Sequence, residues 1–220
     1  YLIRQFSLDE SKLDTKILSS LISKIGLNFY KYIEGMFAIV VYDIFNKKIY
    51  FYRDSSGQKN LYYFFKNGNL ILSSEIGPII KVNKTFDSNP AGILNGLHFG
   101  FIQSKQTLYK DIYKLLPGSY IEIDLKTKKI QKPIFFPIIK YNENNDFIDN
   151  NKNNVSNHLS TCRKIGLNLS GGIDSNLILY EALKLKKDID CFSTFFPDEN
   201  EVYNLDFKLA KNIAKKLNMN

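Results

Sequence analysis

Tryptophan is absent from this chain of 220 residues, and cysteine occurs only twice, at Cys162 and Cys191. Two cysteines at that spacing make no CxxC pair, no metal-ligand cluster and no disulfide framework. Free thiols in a reducing cytoplasm are the expectation. No apolar run approaches the ~20 residues that a membrane-crossing helix needs. The longest, such as Met36 to Tyr42, have the length of strands. The chain does not open on a charged segment followed by an apolar one, so no signal peptide is read at its start. Position 1 is Tyr rather than Met, and Asn220 falls inside a helix-rich pattern. Both ends are therefore expected to be interior points of a longer chain.

What is present bounds the answer further. The length fits one or two domains with real cores. Lys and Arg number 30 against 22 Asp and Glu, a formal charge of +8. Such an excess invites a nucleic-acid partner. The lysines are spread along the chain rather than packed into one run, so a solvated basic surface is the reading, with neither nucleic acid nor membrane as partner.

The apolar pattern divides the chain. Ile17, Leu18, Leu21, Ile22 and Ile25 recur at helical spacing from Asp14 to Ile25, and Gly26 stops the helix. Gly35 to Tyr42 is β-branched and aromatic, hence a strand, and Ile49 to Arg53 returns after an Asn46-Lys47-Lys48 turn. Leu61 to Lys66 and Asn69 to Ser74 flank Asn67-Gly68, the favoured two-residue hairpin turn. Residues 35 to 75 are thus expected to be consecutive antiparallel strands. Pro90 to Gly100 reads as a short helix, and Tyr120 to Gln131 as a further hairpin. The Asn-rich stretch from Tyr141 to Asn154 reads as a short linker leading into a poor helix, with Ile148, Val155 and Leu159 on one face; a disordered linker is the alternative.

From Lys164 the character changes. Ile165 to Leu169 is a strand and Asn176 to Lys187 a helix, with Leu177, Ile178, Tyr180, Leu183 and Leu185 as its apolar positions. Asp190 to Phe196 is a second strand. Leu205 to Leu217 is a second helix, with Leu205, Leu209, Ile213 and Leu217 repeating every four residues. This alternation argues a parallel sheet. The expected organisation is α+β followed by α/β, divided near residue 145.

Between that strand and helix lies Leu169-Ser-Gly-Gly-Ile-Asp-Ser175. A loop there aims backbone N–H groups and a helix N-terminus at an anion. Gly171 and Gly172 let the backbone come close and take unusual φ values, while Ser170 and Ser175 offer hydroxyls. Asp174 repels a bare phosphate, but it makes sense if a divalent cation lies between them. A pyrophosphate site with magnesium is one reading; an ordinary βα turn is the other, since Gly-Gly and Asp-Ser are common turn residues. The spacing matches neither a P-loop nor a dinucleotide-binding fingerprint.

Ser170-Gly-Gly-Ile-Asp-Ser175 resembles the SGG(L/I)DS loop of the ATP-pyrophosphatases. Glu34-Gly-Met-Phe-Ala-Ile-Val-Val-Tyr-Asp43, Arg53-Asp-Ser-Ser-Gly-Gln-Lys-Asn-Leu-Tyr-Tyr63, Leu72-Ser-Ser-Glu75 and Leu116-Pro-Gly-Ser-Tyr120 resemble, in order, segments of the glutamine-hydrolysing asparagine synthetases. The resemblance implies a truncated glutamine amidotransferase domain over residues 1–145, part of an N-terminal-nucleophile α/β/β/α sandwich. It implies the start of a parallel-sheet ATP-pyrophosphatase domain over residues 146–220. Implied substrates are glutamine, aspartate and ATP, with Mg²⁺ as cofactor, and the resemblance leaves a homodimer open. Asp14 sits where the family carries a glutamine-contacting Asp, with a helix N-cap as its other reading. Leu169, Ser170, Gly171, Gly172, Asp174, Ser175 and Thr194 match positions of the ATP and pyrophosphate site, with Asp174 toward the metal. Arg53, Asp54 and Glu75 match positions read as structural, as buried ion pairs.

The chain also departs from that pattern. The family's glutaminase uses an N-terminal Cys, and neither Cys162 nor Cys191 stands in that place, so these residues alone are expected to be inactive. Cys162-Arg163-Lys164 alters the approach to the strand, and Asn168 puts an amide in a strand expected to be buried. An amide-forming relative acting on another carboxylate, and a degenerate homologue without catalysis, are the alternatives.

Overall fold

The computed structural model describes residues 6, 14–83, 86–137, 147–159, 164–185, 189–197 and 204–217. The chain divides into two compact units, Tyr1–Ile138 and Ile139–Asn220.

The first unit opens with α1 (Asp14–Ile25), which runs into a 3₁₀ segment, Gly26–Lys31. Gly26 has φ +72, a left-handed conformation that ends the α-helix, so the expected stop is where the helix closes. Strands β1 (Ala38–Asp43) and β2 (Lys48–Arg53) pair antiparallel, and β2 pairs in turn with β6 (Ser119–Asp124). The short β7 (Lys129–Ile130) and β8 (Ile134–Phe135) both pair with β6. A second antiparallel sheet has β3 (Tyr62–Lys66) between β4 (Asn69–Ser73) and β5 (Ile112–Lys114). The four consecutive strands expected over residues 35 to 75 are present, and they divide between the two sheets, β1 and β2 in one and β3 and β4 in the other.

The period-2 alternation of strands decides the packing. On β2, Phe51 points one way and joins Leu61, Tyr63, Leu115, Ile121 and Ile123 in a core between the two sheets. Tyr50 and Tyr52 point the other way and pack on Leu21 of α1 and on Phe29. On β3, Phe64 turns from that shared core toward Ile79 of α2 (Ile76–Asn83). The packing order is helix, sheet, sheet, helix. Helix α2 has no counterpart in the sequence reading. Gly77 and Pro78 argue against a helix, yet Pro78 falls in the first turn, where a missing N–H costs nothing. Helix α3 (Pro90–Phe99) ends at Gly100 with φ +75, as expected.

The Asn67-Gly68 turn joins β3 to β4 with φ +53 and +78, a conformation that suits the twist of a hairpin. Gly68→Ala is expected to cost about 1–2 kcal/mol from the left-handed backbone alone, because the only crowding is against the flexible end of Lys128. Urea unfolding of the variant followed by circular dichroism checks this.

The second unit contains α4 (Phe147–Leu159), β9 (Ile165–Asn168), α5 (Ile173–Leu185), β10 (Ile189–Phe192) and α6 (Leu205–Lys216). Strands β9 and β10 pair in parallel, with α5 between them in sequence. Helix α4 starts within the stretch read as linker; Val155 is buried and Leu159 packs beside it, but Ile148 is exposed. The faces of α5 and α6 also differ from expectation. On α5 the buried residues are Leu179, Glu181 and Ala182, while Ile178, Tyr180 and Leu185 are exposed. On α6, Ala210 is buried with Ile213 against it, while Leu205, Leu209 and Leu217 lie exposed. A four-residue repeat drifts by about 40° per step around a 3.6-residue helix, and here Ile213 faces inward while Leu205 and Leu209 do not.

Candidate functional site

The Gly-rich loop leaves the carboxyl end of β9. Asn168 stands level with Phe192 of β10, and Leu169 N–H donates to the Phe192 carbonyl at 2.8 Å, extending the pairing by one residue. The Leu169 side chain is buried against Leu179 of α5 and Ala210 of α6. The chain then turns outward, and α5 begins at Ile173, three residues earlier than expected.

Gly171 has φ +80, and a Cβ there would lie 2.5 Å from Leu209 Cβ and 3.1 Å from the Ala210 nitrogen. The backbone of α6 is therefore seated directly against the loop. Gly172 is different, since a Cβ there would meet only Ser170 Oγ, at 3.4 Å. Ser170 Oγ and Ser175 Oγ are 3.1 Å apart; Ser175 Oγ donates to the Gly172 carbonyl at 3.0 Å, and Gly172 N–H donates to Ser170 Oγ at 3.3 Å. Asn176 Nδ2 donates to the carbonyls of Gly171 and Gly172, both at 2.9 Å. Asn176 was not singled out from the sequence; its signal is an amide in the first turn after a Gly-Gly pair.

The first amides of a helix have no carbonyl partner within it. In α5 these are Ile173, Asp174 and Ser175, and they converge with the positive end of the helix dipole. Asp174 is exposed at the same end. Ile173 is 85% exposed, so an apolar side chain stands in solvent at the mouth of the loop. The donor set suits a polyanion. Asp174 supplies a single carboxylate, and among the described residues no three acidic, His or Cys side chains gather to cage a metal. A cation at Asp174 would share its remaining ligands with the anion or water.

Thr194 leaves β10 two residues past Phe192, at the same carboxyl edge as Ser170, and is exposed. Asn168 is exposed as well, which corrects the expectation of a buried amide and removes its desolvation cost. Cys162 and Arg163 lie outside the described residues. Cys191 is half-buried, and burial pushes its thiol pKa up, away from a reactive thiolate.

In the first unit, Asp14 is exposed and is the first residue of α1, inside the first turn rather than the cap before it. It lines a cleft of about 610 Å³ together with Glu34, Lys59, Asn60 and Ser74, between aliphatic side chains of α1 and β1. The structural trio separates. Asp54 is 1% exposed and Arg53 4% exposed, but their hydrogen-bond partners are loop groups rather than each other, and Glu75 is exposed. The buried ion pairs are thus corrected to side-chain clamps on loop backbone.

The glutamine amidotransferase domain family model matches residues 4–134, and the asparagine synthase family model matches residues 152–220. Asparagine synthetase 2 of Bacillus subtilis is 27% identical over 225 residues, covering 94% of this chain and 30% of that protein. The asparagine synthetase of Homo sapiens is 29% identical over 203 residues, covering 81% of this chain and 33% of that protein. Microcin J25-processing protein McjC of Escherichia coli is 32% identical over 171 residues, covering 77% and 32%. The chain spans about a third of the length of the curated relatives it matches.

Proposed function

Because the chain belongs to the family of glutamine-hydrolysing asparagine synthetases, we propose that the protein to which it belongs converts aspartate to asparagine, with ATP as activating substrate and glutamine as the source of ammonia. The observation that carries this is the Ser170–Ser175 loop, an anion cradle at a helix N-terminus on the carboxyl edge of a parallel strand pair.

A carboxylate is a poor acyl donor until its oxygen is made into a leaving group. ATP does so by transferring AMP to the aspartate side chain and releasing pyrophosphate; ammonia then displaces AMP. In that scheme the amides of Ile173, Asp174 and Ser175 and the hydroxyls of Ser170 and Ser175 receive the phosphate oxygens. Gly172 leaves room for their approach, and Leu169 and Thr194 border the nucleotide. Asp174 holds Mg²⁺, which when bound offsets charge on the departing pyrophosphate. The fixed dipoles of the loop do the same without reorganising.

The antiparallel unit is read as the later part of an N-terminal-nucleophile amidotransferase sandwich, residues 1–145, and residues 146–220 as the start of the synthetase domain. The helix–sheet–sheet–helix packing and the parallel β9–β10 pair support this division. Asp14, in its cleft, contacts glutamine. Neither Cys162 nor Cys191 acts as the glutaminase nucleophile.

A second reading has its own observation. McjC, named for processing microcin J25, is 32% identical, above the 27–29% of the asparagine synthetases compared above. The acceptor would then be another carboxylate. Full-length protein supplied with ATP, Mg²⁺ and ammonium, and with aspartate or a panel of other carboxylates, separates the two by pyrophosphate release. Release with aspartate and formation of asparagine is the expected result. Release only with another acceptor would replace the first reading by the second.

A further inference from the structure

Asn204 immediately precedes α6, in the position where an Asn side chain ordinarily accepts from the first helical amides. It makes no such bond. Its side chain reaches back eight residues instead: Oδ1 accepts from Phe196 N–H at 2.9 Å and Nδ2 donates to the Phe196 carbonyl at 2.8 Å. Both polar groups of one residue are thus gripped by one amide. Asn204 is 6% exposed, so this grip is shielded from competing water. Its own carbonyl accepts from Lys208 N–H at 3.0 Å and starts the helix.

The other end of the device is at the loop. Helix α6 meets Gly171 through Leu209 and Ala210, with no side chain of Gly171 between them. Phe196 follows β10, which holds β9 in register up to Leu169. A closed circuit results: β9, loop, α6, Asn204, Phe196, β10 and back to β9. Within it, Asn204 sets where the wall of the loop stands relative to the strand from which the loop springs. A ring contact, Phe195 to Phe207 at 4.9 Å between centroids, spans the same junction.

We propose that Asn204 is a positioning residue for the Ser170–Ser175 loop: by clamping the Phe196 backbone it holds α6 against Gly171 and keeps the loop amides in the geometry that receives polyphosphate. The proposal rests on the pyrophosphate-loop reading above, and its consequence is preorganisation. A loop already held in its bound shape binds its anion without an ordering cost.

The test uses Asn204→Ser and Asn204→Ala in the full chain. Serine caps a helix as well as asparagine does but cannot span both polar groups of Phe196. Two readouts are taken, Mg·ATP binding by calorimetry and amide hydrogen exchange at Gly171 and Gly172 without ligand. The clamp predicts that Asn204→Ser still folds but melts at a lower temperature, because Phe196 N–H and its carbonyl lose a shielded partner, binds Mg·ATP about tenfold more weakly and exchanges faster at both glycines. Exchange in the middle of α5 stays unchanged. Binding and exchange equal to the unaltered chain would overturn the proposal, since helix capping would then explain Asn204 fully. If Asn204→Ala fails to fold, the Ser variant decides alone. If the unaltered chain binds no Mg·ATP while the Ser variant still exchanges faster at the glycines, the clamp stands and the pyrophosphate reading falls.

Discussion

Gly171→Ala is expected to loosen the second unit by about 2–5 kcal/mol, whereas Gly172→Ala leaves its stability unchanged or slightly raised and weakens ATP binding. The two glycines are adjacent, but their surroundings differ. At Gly171 the backbone is left-handed, which costs a residue with a Cβ about 1–2 kcal/mol. The added methyl would also stand 2.5 Å from Leu209 Cβ and 3.1 Å from a backbone nitrogen of α6. Neither is the end of a flexible side chain, so the helix itself must move, and overpacking of that kind costs about 1–3 kcal/mol. At Gly172 the φ is one that L-residues adopt and the methyl meets only Ser170 Oγ at 3.4 Å. Replacing Gly by Ala where the conformation is compatible stabilises by about 0.4–1 kcal/mol through the unfolded chain. The methyl then occupies the space that a phosphate would use, and an affinity loss of tenfold or more, about 1.4 kcal/mol, is expected. Hydrogen exchange of β9 and β10 amides reads the stability, and calorimetry with Mg·ATP reads the site. Equal effects of the two substitutions would contradict this division of roles.

Arg53→Lys is expected to destabilise the first unit by about 2–4 kcal/mol, a large effect for a change that keeps the charge. The Arg53 guanidinium is used on all sides. Its Nε donates to the Lys59 carbonyl at 2.8 Å and Nη1 to the Leu115 carbonyl at 2.6 Å; Nη2 donates to the Gly57 carbonyl and to Asn60 Oδ1. A lysine ammonium is a compact point charge and cannot reproduce that fork. The Leu115 carbonyl would be left buried without a partner, at about 1–3 kcal/mol, and the half-buried loop carbonyls of Gly57 and Lys59 would lose theirs at a smaller cost. Asp54 complements it from the other side, accepting from Gln58 N–H at 2.9 Å and Lys59 N–H at 3.0 Å. Asp54→Asn puts a donor against one of those donors and should cost a similar amount. Burial pulls the Arg53 pKa below its ordinary value, and the nearby Asp54 charge draws it back up, so the guanidinium stays charged. Glu75→Gln serves as the control. Its side chain is exposed, and a change within about 0.5 kcal/mol is expected. Urea unfolding followed by circular dichroism distinguishes the three, and a neutral Arg53→Lys would show the clamp to be dispensable. Because Lys59 and Asn60 also line the cleft that contains Asp14, the same clamp shapes that wall.

Much of the local structure was legible along the chain. The stop of α1 at Gly26, the Asn67-Gly68 turn, the end of α3 at Gly100 and the strand–loop–helix around Ser170 are all dictated within a few residues by φ preference and hydrogen-bonding capacity. Helix α2 was missed because Gly77 and Pro78 oppose a helix everywhere except in a first turn. Strands β5 and β8 were missed because three- and two-residue strands exist only through their partners, β3 and β6. On α5, a helix apolar around most of its circumference, periodicity could not choose Leu179 and Ala182 over Tyr180 and Leu185; the elements packed beside it made that choice.

The same boundary runs through the site. The residue types of Leu169 to Ser175, and the glycines that let the backbone turn there, follow from the sequence alone, because a tight turn into a helix depends on local torsions. The reach of Arg53 to the Leu115 carbonyl and the seating of α6 against Gly171 were decided only by tertiary structure. Each depends on groups far apart in the chain meeting within hydrogen-bond or van der Waals range, and no local torsion or periodicity encodes that meeting.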